Sequence, residues 1–390
     1  MTNPLRIAIV AGEPSGDLLG ADLLRALARH RPHIRIEGIG GPQMIAAGCR
    51  SLYPMERLAV AGLSEALIRI PEILLIRARL ERHLHRNPPD VFIGIDAPDF
   101  NLSLERKLRG NGIPVVHYVS PTVWAWRGYR VKKIARSVDS MLTLFPFETK
   151  IYVKNRIPAR FVGHPLADAI PEEPDREKAR RELSLPHTAK IIALLPGSRL
   201  NEVKAMAVLM IRTARRLYEQ RRDLRFVVPL INAVTRDYFH KVHAREGSDL
   251  PITVIDKRSR AAMTAANAVL VAVGTATLEA LLLQRPMVIA LRVSPLTYHI
   301  GKRLATVSQA GLPNLLAGHP LVPEFIQHDA TPENLGDALL EILDNPRGTE
   351  TQREFRKIGA MLRRGASESA ASAVLELLAS RDSESKATLL

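Results

Sequence analysis

The chain has 390 residues, 46% hydrophobic and 24% charged, more than one hydrophobic core ordinarily supports and too apolar for a disordered protein, so two folded domains are expected. Its 55 Lys and Arg against 40 Asp and Glu leave a formal charge of +15, which attracts nucleic acid, phosphorylated metabolites or an acidic lipid surface without choosing among them. The single cysteine, Cys49, excludes an internal disulfide and a thiolate metal site and fits a reducing cytoplasm.

The first apolar run, Ile7 to Ala11, is too short for a signal segment and leads into a polar turn, so it reads as a strand. No run approaches the roughly 20 apolar residues of a membrane-spanning helix. Short β-rich runs then alternate with longer helical patterns, as in parallel sheets covered on both faces. Strands are predicted at residues 6–11, 34–39, 91–95, 115–119, 141–145 and 160–162, and again at 191–195, 226–230, 252–255, 268–273 and 287–291. Between the two sets lies a polar, proline-punctuated stretch. The predicted organisation is an N-terminal domain at 1–170, a linker at 171–186, a C-terminal domain at 187–349, and a helix with a frayed tail at 350–390. The fold class is α/β, two Rossmann-like doubly wound domains facing a cleft, with ligands at strand carboxyl ends.

The first strand ends in Gly12-Glu13-Pro14-Ser15-Gly16-Asp17, which opens onto a helical pattern. Amides and small side chains there suit an acceptor's polar groups. A tight turn with Ser15 or Asp17 as helix cap explains the motif equally well. It is neither a Walker A loop nor a dinucleotide fingerprint. Residues 62–86 carry Leu63, Leu67, Ile70, Ile73, Leu74 and Leu75, followed by Arg77, Arg79 and Arg82. Four consecutive apolar residues, Ile73 to Ile76, exceed one core-facing stripe, so some face outward, where arginines rim them as in a segment on an anionic membrane. Burial against a second domain or a dimer partner is the alternative.

At the end of the 91–95 strand, Asp96 and Asp99 emerge where an open α/β sheet builds its sites. Asp96 suits a general base for a sugar hydroxyl, while Asp99 is easily a helix cap. The next strand runs into Ser120-Pro121-Thr122-Val123-Trp124-Ala125-Trp126-Arg127, whose aromatic and basic groups suit a sugar or an acyl chain, or a packed interface. With aromatics only 5% of the chain, a nucleic-acid surface is not expected.

In the second half, Gly197-Ser198-Arg199 follows a strand, with Gly197 admitting a diphosphate and Arg199 offering a fork for its oxygens. Gly274-Thr275-Ala276-Thr277-Leu278-Glu279 repeats the pattern: amides for phosphate at a helix start, then an acid for a ribose diol. Two such loops describe a nucleoside-diphosphate pocket, although each alone is also an ordinary cap. His117, His164, His299 and His319 are scattered, and no metal-ligand spacing is present, so neither metal nor cofactor is expected.

The stretches 11–17, 94–101, 117–121 with 123–126, 195–199 and Leu312-Pro313-Asn314-Leu315-Leu316-Ala317-Gly318 stand in the order of the lipid-A-disaccharide synthases of Gram-negative bacteria, which the chain resembles over almost its whole length, although Ala272-Val273 precedes the second phosphate loop where some relatives carry smaller polar residues. The resemblance implies a GT-B fold whose C-terminal helix packs back on the N-terminal domain. It implies an inverting transfer from UDP-2,3-diacylglucosamine to the 6-hydroxyl of 2,3-diacylglucosamine 1-phosphate, at the cytoplasmic face of an anionic inner membrane. Asp96 is then the base, Arg199 with the loop amides the diphosphate clamp, Glu279 the ribose contact and Asn314 a polar group near the cleft. Glu13, Ser15, Gly16, Asp17, Ser120 and Trp124 are expected on the acceptor side. A homodimer stays open. The rival readings are a UDP-sugar epimerase, which needs no lipid substrate, and a nucleic-acid binder, which releases no UDP.

Overall fold

The computed structural model describes residues 4–58, 63–124, 128–294, 298, 303, 309–344 and 348–388. Gly62, Ala125, Trp126, Arg127 and His299 lie outside the described residues, as do the side chains of Leu63 and Leu67. The chain divides into two compact units, Met1–Asp168 with Leu362–Leu390, and Ala169–Met361.

Unit 1 is built on seven parallel strands, β1 (Leu5–Ala11), β2 (Ile34–Ile39), β3 (Arg50–Ser51), β4 (Val91–Ile95), β5 (Val115–Tyr118), β6 (Ser140–Thr143) and β7 (Ala159–Phe161), in the order β3-β2-β1-β4-β5-β6-β7. Helices α1 (Pro14–His30), α2 (Pro42–Ala46), α3 (Leu63–Arg86), α4 (Pro98–Gly110), α5 (Arg130–Ala135), α6 (Pro146–Lys154) and α7 (Pro165–Ala169) connect them. The order reverses between β1 and β4. Both strands are buried on both faces, which is why each reads as an uninterrupted apolar run. Pro14 starts α1 with its φ already helical. Gly16 then lets the helix lie close on the sheet: a Cβ there would be 3.3 Å from Ala11 Cβ and 3.4 Å from Ile95 Cγ2.

Unit 2 has six parallel strands, β8 (Lys190–Leu195), β9 (Leu224–Leu230), β10 (Ile252–Asp256), β11 (Ala268–Ala272), β12 (Met287–Leu291) and β13 (Glu324–Ile326), in the order β10-β9-β8-β11-β12-β13. Helices α8 (Arg176–Glu182), α9 (Leu200–Gln220), α10 (Ala233–Glu246), α11 (Ser259–Ala265) and α12 (Thr275–Leu282) cover it, with later helices at Leu312–Ala317, Pro332–Asp344 and Gly348–Leu362. Met206, Met210 and Leu217 of α9 pack on Phe226 and Val228 of β9 and Leu270 of β11 in one apolar core.

The structure departs from the sequence expectation at two boundaries. Residues 171–186, expected as a linker, include α8, and its Arg180 is buried with Nε donating to Ala265 O at 3.0 Å and Nη2 to Asn267 Oδ1 at 2.9 Å. Arg180 thus satisfies carbonyl oxygens inside unit 2, while most of the other charged residues of this stretch are exposed. The helix expected from residue 350 is two helices, broken at 363–365, where Gly365 takes φ +61°. Asp168 caps the second, Ala366–Thr388, accepting from the amides of Gly365 at 3.0 Å and Ala366 at 2.6 Å. That helix continues past Ser380, where a frayed tail is expected. It packs on unit 1: Ala370, Ala371 and Val374 are buried, and Glu368 receives Arg29 and His30 from the end of α1.

Candidate active site

In an open α/β sheet, ligands gather where the strand order reverses. In unit 1 that point lies between the ends of β1 and β4, and a cavity of about 500 Å³ opens there. Gly12 and Glu13 wall it from β1, Asp96 to Phe100 from β4, and Ile70, Ile73, Leu74 and Arg77 from α3. A carboxylate from a strand end, an acid from the first loop and an apolar helix thus meet at one opening.

Asp96 and Ala97 both adopt left-handed backbone conformations, φ +47° and +43°, which non-glycine residues take at some cost in strain. The Asp96 amide donating to Tyr118 O at 2.9 Å and Asn101 Nδ2 donating to Asp96 O at 2.8 Å hold that turn. Burial pushes the Asp96 carboxyl above its ordinary value, opposed by the charge of His117 and the Ala97 amide, a direction that suits a general base. Asp99 is exposed, and its Oδ1 accepts from Arg130 Nη2 at 2.7 Å.

Of the first loop, Gly12 and Glu13 reach the cavity. Ser15 is exposed on the first turn of α1 and does not line it, and Gly16 is spent on helix packing. Asp17, expected to meet the acceptor, is buried and accepts from three amides, Gly41 at 2.8 Å, Gln43 at 2.9 Å and Met44 at 3.0 Å. It caps α2. Ser120 and Trp124 are likewise turned to structural use. Ser120 is buried against Tyr152, Oγ to hydroxyl 2.6 Å. Trp124 donates to Glu148 Oε1 at 3.2 Å and meets Phe147 edge-on at 5.3 Å. Burial pushes Glu148 up to about 8, against its hydrogen bonds from Phe145, Trp124, Leu144 and Ser120.

On α3, Ile76, Leu80 and Leu84 face the core, while Ile70, Leu74 and Leu75 remain 45%, 46% and 50% exposed. One apolar stripe is packed and a second is left open, beside Arg77, Arg79 and Arg82. Among the described residues no helix is long and apolar enough to cross a membrane.

In unit 2 the order reverses between β8 and β11, and a cavity of about 630 Å³ lies there. Its walls carry Gly197, Ser198 and Arg199 after β8, and Gly274, Thr275, Ala276 and Glu279 at and beyond the start of α12. The volume suits a ligand of nucleotide size. Gly197 takes φ +119°, and a Cβ there would strike Glu202. Glu202 Oε2 accepts from the amides of Ser198 at 2.8 Å and Arg199 at 3.1 Å. These amides are taken by Glu202, and the Arg199 side chain, 82% exposed, lies on the cavity wall with Nη1 3.6 Å from Glu202 Oε1. In the second loop, the opening amides of α12 have no carbonyl four residues back within the helix, the arrangement in which a helix start can take an anion. Thr277 does not share in it: the side chain is buried and its Oγ1 donates back to Gly274 O at 2.7 Å. Glu279 faces the cavity and accepts from Arg260 Nε at 2.7 Å.

Sequence reasoning missed Lys257 and Arg258, which line the same cavity from the end of β10 in consecutive left-handed conformations, φ +55° and +50°. The available signal was two basic residues directly after a strand, without the glycine that marks the other loops. Asn314 moves the other way. It is 2% exposed, with Oδ1 accepting from the amides of Leu321 at 2.7 Å and Val322 at 2.8 Å and Nδ2 donating to Val322 O at 2.9 Å and Glu324 Oε1 at 2.7 Å. Every polar position is used within unit 2, so Asn314 pins a loop instead of facing a ligand.

The sequence model of the family described as lipid-A-disaccharide synthetase matches residues 7–377. A lipid-A-disaccharide synthase of Methylobacillus flagellatus is 51% identical over 374 residues, covering 95% of this chain and 99% of that protein. Among solved structures, the glycotransferase of kitacinnamycin aligns with a TM-score of 0.65 at 16% identity, over 97% of this chain and all 100% of that one. The UDP-GlcNAc 2-epimerase from Neisseria meningitidis, bound to UDP-GlcNAc, aligns at 0.60 with 13% identity, over 97% and 100%. At such identities the structural matches speak for the fold alone, the two-unit α/β arrangement of GT-B proteins.

Proposed function

Since this chain belongs to the lipid-A-disaccharide synthase family, glycosyltransferases of lipid A biosynthesis, we propose that its two cavities divide one inverting transfer between them. The unit 2 cavity takes UDP-2,3-diacylglucosamine by its UDP, with Arg199, Lys257, Arg258 and the amides of Thr275 and Ala276 on the diphosphate and Glu279 on the ribose. The unit 1 cavity takes 2,3-diacylglucosamine 1-phosphate, its acyl chains along α3 and its 6-hydroxyl toward Asp96. The hydroxyl oxygen forms a bond to the anomeric carbon as its proton passes to Asp96. The bond from that carbon to the diphosphate breaks, and UDP leaves with the electron pair. Charge on the leaving oxygens is met by fixed cations and helix-end amides. The outward stripe of α3 rests on an anionic bilayer, where both lipid substrates reside.

The observation that carries this reading is the meeting of Asp96 with an apolar, partly exposed helix in the unit 1 cavity. A sugar-nucleotide enzyme without a lipid substrate has no use for that wall. The test is UDP release measured with each substrate singly and with both. UDP appearing from the donor alone at the full rate, or the donor being epimerised, would reject the transfer. Asp96→Asn keeps the shape and removes the base, so turnover should fall by roughly two to four orders of magnitude.

A further inference from the structure

Behind Asp96 the sheet holds a buried polar network that the reaction above leaves unused. β4 and β5 pair with Gly94 opposite His117, so those two residues lie side by side on the face that α4 covers, and Asp96 follows directly after β4 with its amide donating to Tyr118 O, next to His117, at 2.9 Å. The side chains of His117 and Glu105 are both 0% exposed, with His117 Nδ1 2.6 Å from Glu105 Oε1. Gly94 makes room for them: a Cβ there would lie 2.0 Å from Glu105 Oε1 and 3.2 Å from Asn101 Cβ. Among the described residues, His117 Nε2, Glu105 Oε2 and Asn101 Oδ1 have no hydrogen-bond partner. An apolar pair of similar volume serves a core at least as well as an ion pair does, so packing alone does not account for this one.

We propose that His117 and Glu105 are positioning residues for the base: Glu105 holds the His117 ring doubly protonated, and the imidazolium keeps the Asp96 carboxylate ionised to receive the acceptor's proton. This rests on Asp96 being the base. Burial disfavours charge on the His117 ring, yet Glu105, and secondarily Asp96 and Val119, leave it raised above its ordinary value. For Asp96, burial raises and His117 lowers. The other charged groups near Asp96 are Glu13 after β1, Arg77 of α3 and Asp99 of α4 on the cavity wall, with Asp99 tied to Arg130.

Glu105→Gln removes the partner that makes the buried ring a cation. The acid limb of kcat/KM should then move up by roughly half to one pH unit, since the cation is lost together with the Glu105 anion beside it and only the difference of the two fields acts on Asp96. Below the wild-type limb the activity is about 3- to 10-fold lower than wild type, and toward pH 9 it returns close to it, with KM unchanged. A purely structural role predicts the same loss at every pH. Asp96→Asn is measured beside it. Full turnover in Asp96→Asn removes the base assignment itself, whereas an inactive Asp96→Asn with an unmoved profile in Glu105→Gln removes only the His117 and Glu105 inference. Should Glu105→Gln not fold, 15N-histidine spectra of the unsubstituted chain decide: one of the twelve rings should keep both protons to a higher pH than an exposed histidine does, and the absence of such a ring overturns the proposal.

Discussion

Replacing Leu74 and Leu75 by serine probes the open stripe of α3. These side chains are 46% and 50% exposed, which corresponds to roughly 80 Å² of apolar surface each, and at about 25 cal/mol per Å² the pair carries about 4 kcal/mol of transfer free energy. An interfacial helix sinks only part of that surface below the headgroups, so about half, near 2 kcal/mol, should be lost, a weakening of about 30-fold. The assay is co-sedimentation with vesicles containing phosphatidylglycerol, and with phosphatidylcholine alone as the uncharged control. Arg77, Arg79 and Arg82 lie on the same helix, so wild-type binding should also fall as salt rises. Because Leu74 also walls the unit 1 cavity, Leu75→Ser alone separates surface attachment from substrate contact. Melting temperature should not fall, since Ile76, Leu80 and Leu84 keep the packed stripe. Unchanged vesicle binding, or a drop of many degrees in melting temperature, would refute the reasoning.

Two further outcomes concern residues turned to structural use. Glu148 has a folded value of about 8 against an ordinary 4.5, so as pH rises the unfolded chain releases this proton first. The stability held by the neutral carboxyl is complete below pH 4.5 and is lost progressively up to about pH 8, by at most about 4 to 5 kcal/mol. Urea unfolding at pH 5, 6.5 and 8 should show that slope, and Glu148→Gln should flatten it while retaining the acceptor for Trp124. Asn314→Ala leaves the buried amides of Leu321 and Val322 unpaired and should cost about 2 to 4 kcal/mol in the same assay, with UDP affinity by calorimetry nearly unchanged. A variant of full stability that no longer binds UDP would return Asn314 to the ligand.

The strands buried on both faces are legible as apolar runs: β4 and β12 coincide with the predicted 91–95 and 287–291. β2, whose Arg35 is exposed, coincides with 34–39 through its alternation of apolar and polar residues. β3 and β13, of two and three residues, are too short to carry a period. Glycine loops at strand ends are legible for a local reason, since Gly197 and Gly274 sit at positive φ that few other residues tolerate. Asp17, Ser120, Trp124 and Asn314 lie in equally suggestive stretches, yet their partners are distant amides, Tyr152, Glu148 and a later turn. No pattern around such a residue tells whether its polar atoms point out to a ligand or back into the fold. Lys257 and Arg258 show the converse: their place in the cavity follows from strand order, which sets β10 beside β9 and one strand away from β8.

The return of residues 366–388 to unit 1 bears on how the chain matures. Unit 2 is one uninterrupted stretch, whereas unit 1 is assembled from two pieces flanking it. On the ribosome, the strip of α1 that this helix shields stays bare until all of unit 2 has been translated. A nascent N-terminal half is therefore the sticky intermediate on this route, and shortening the chain before Ala366 should expose the same surface for good.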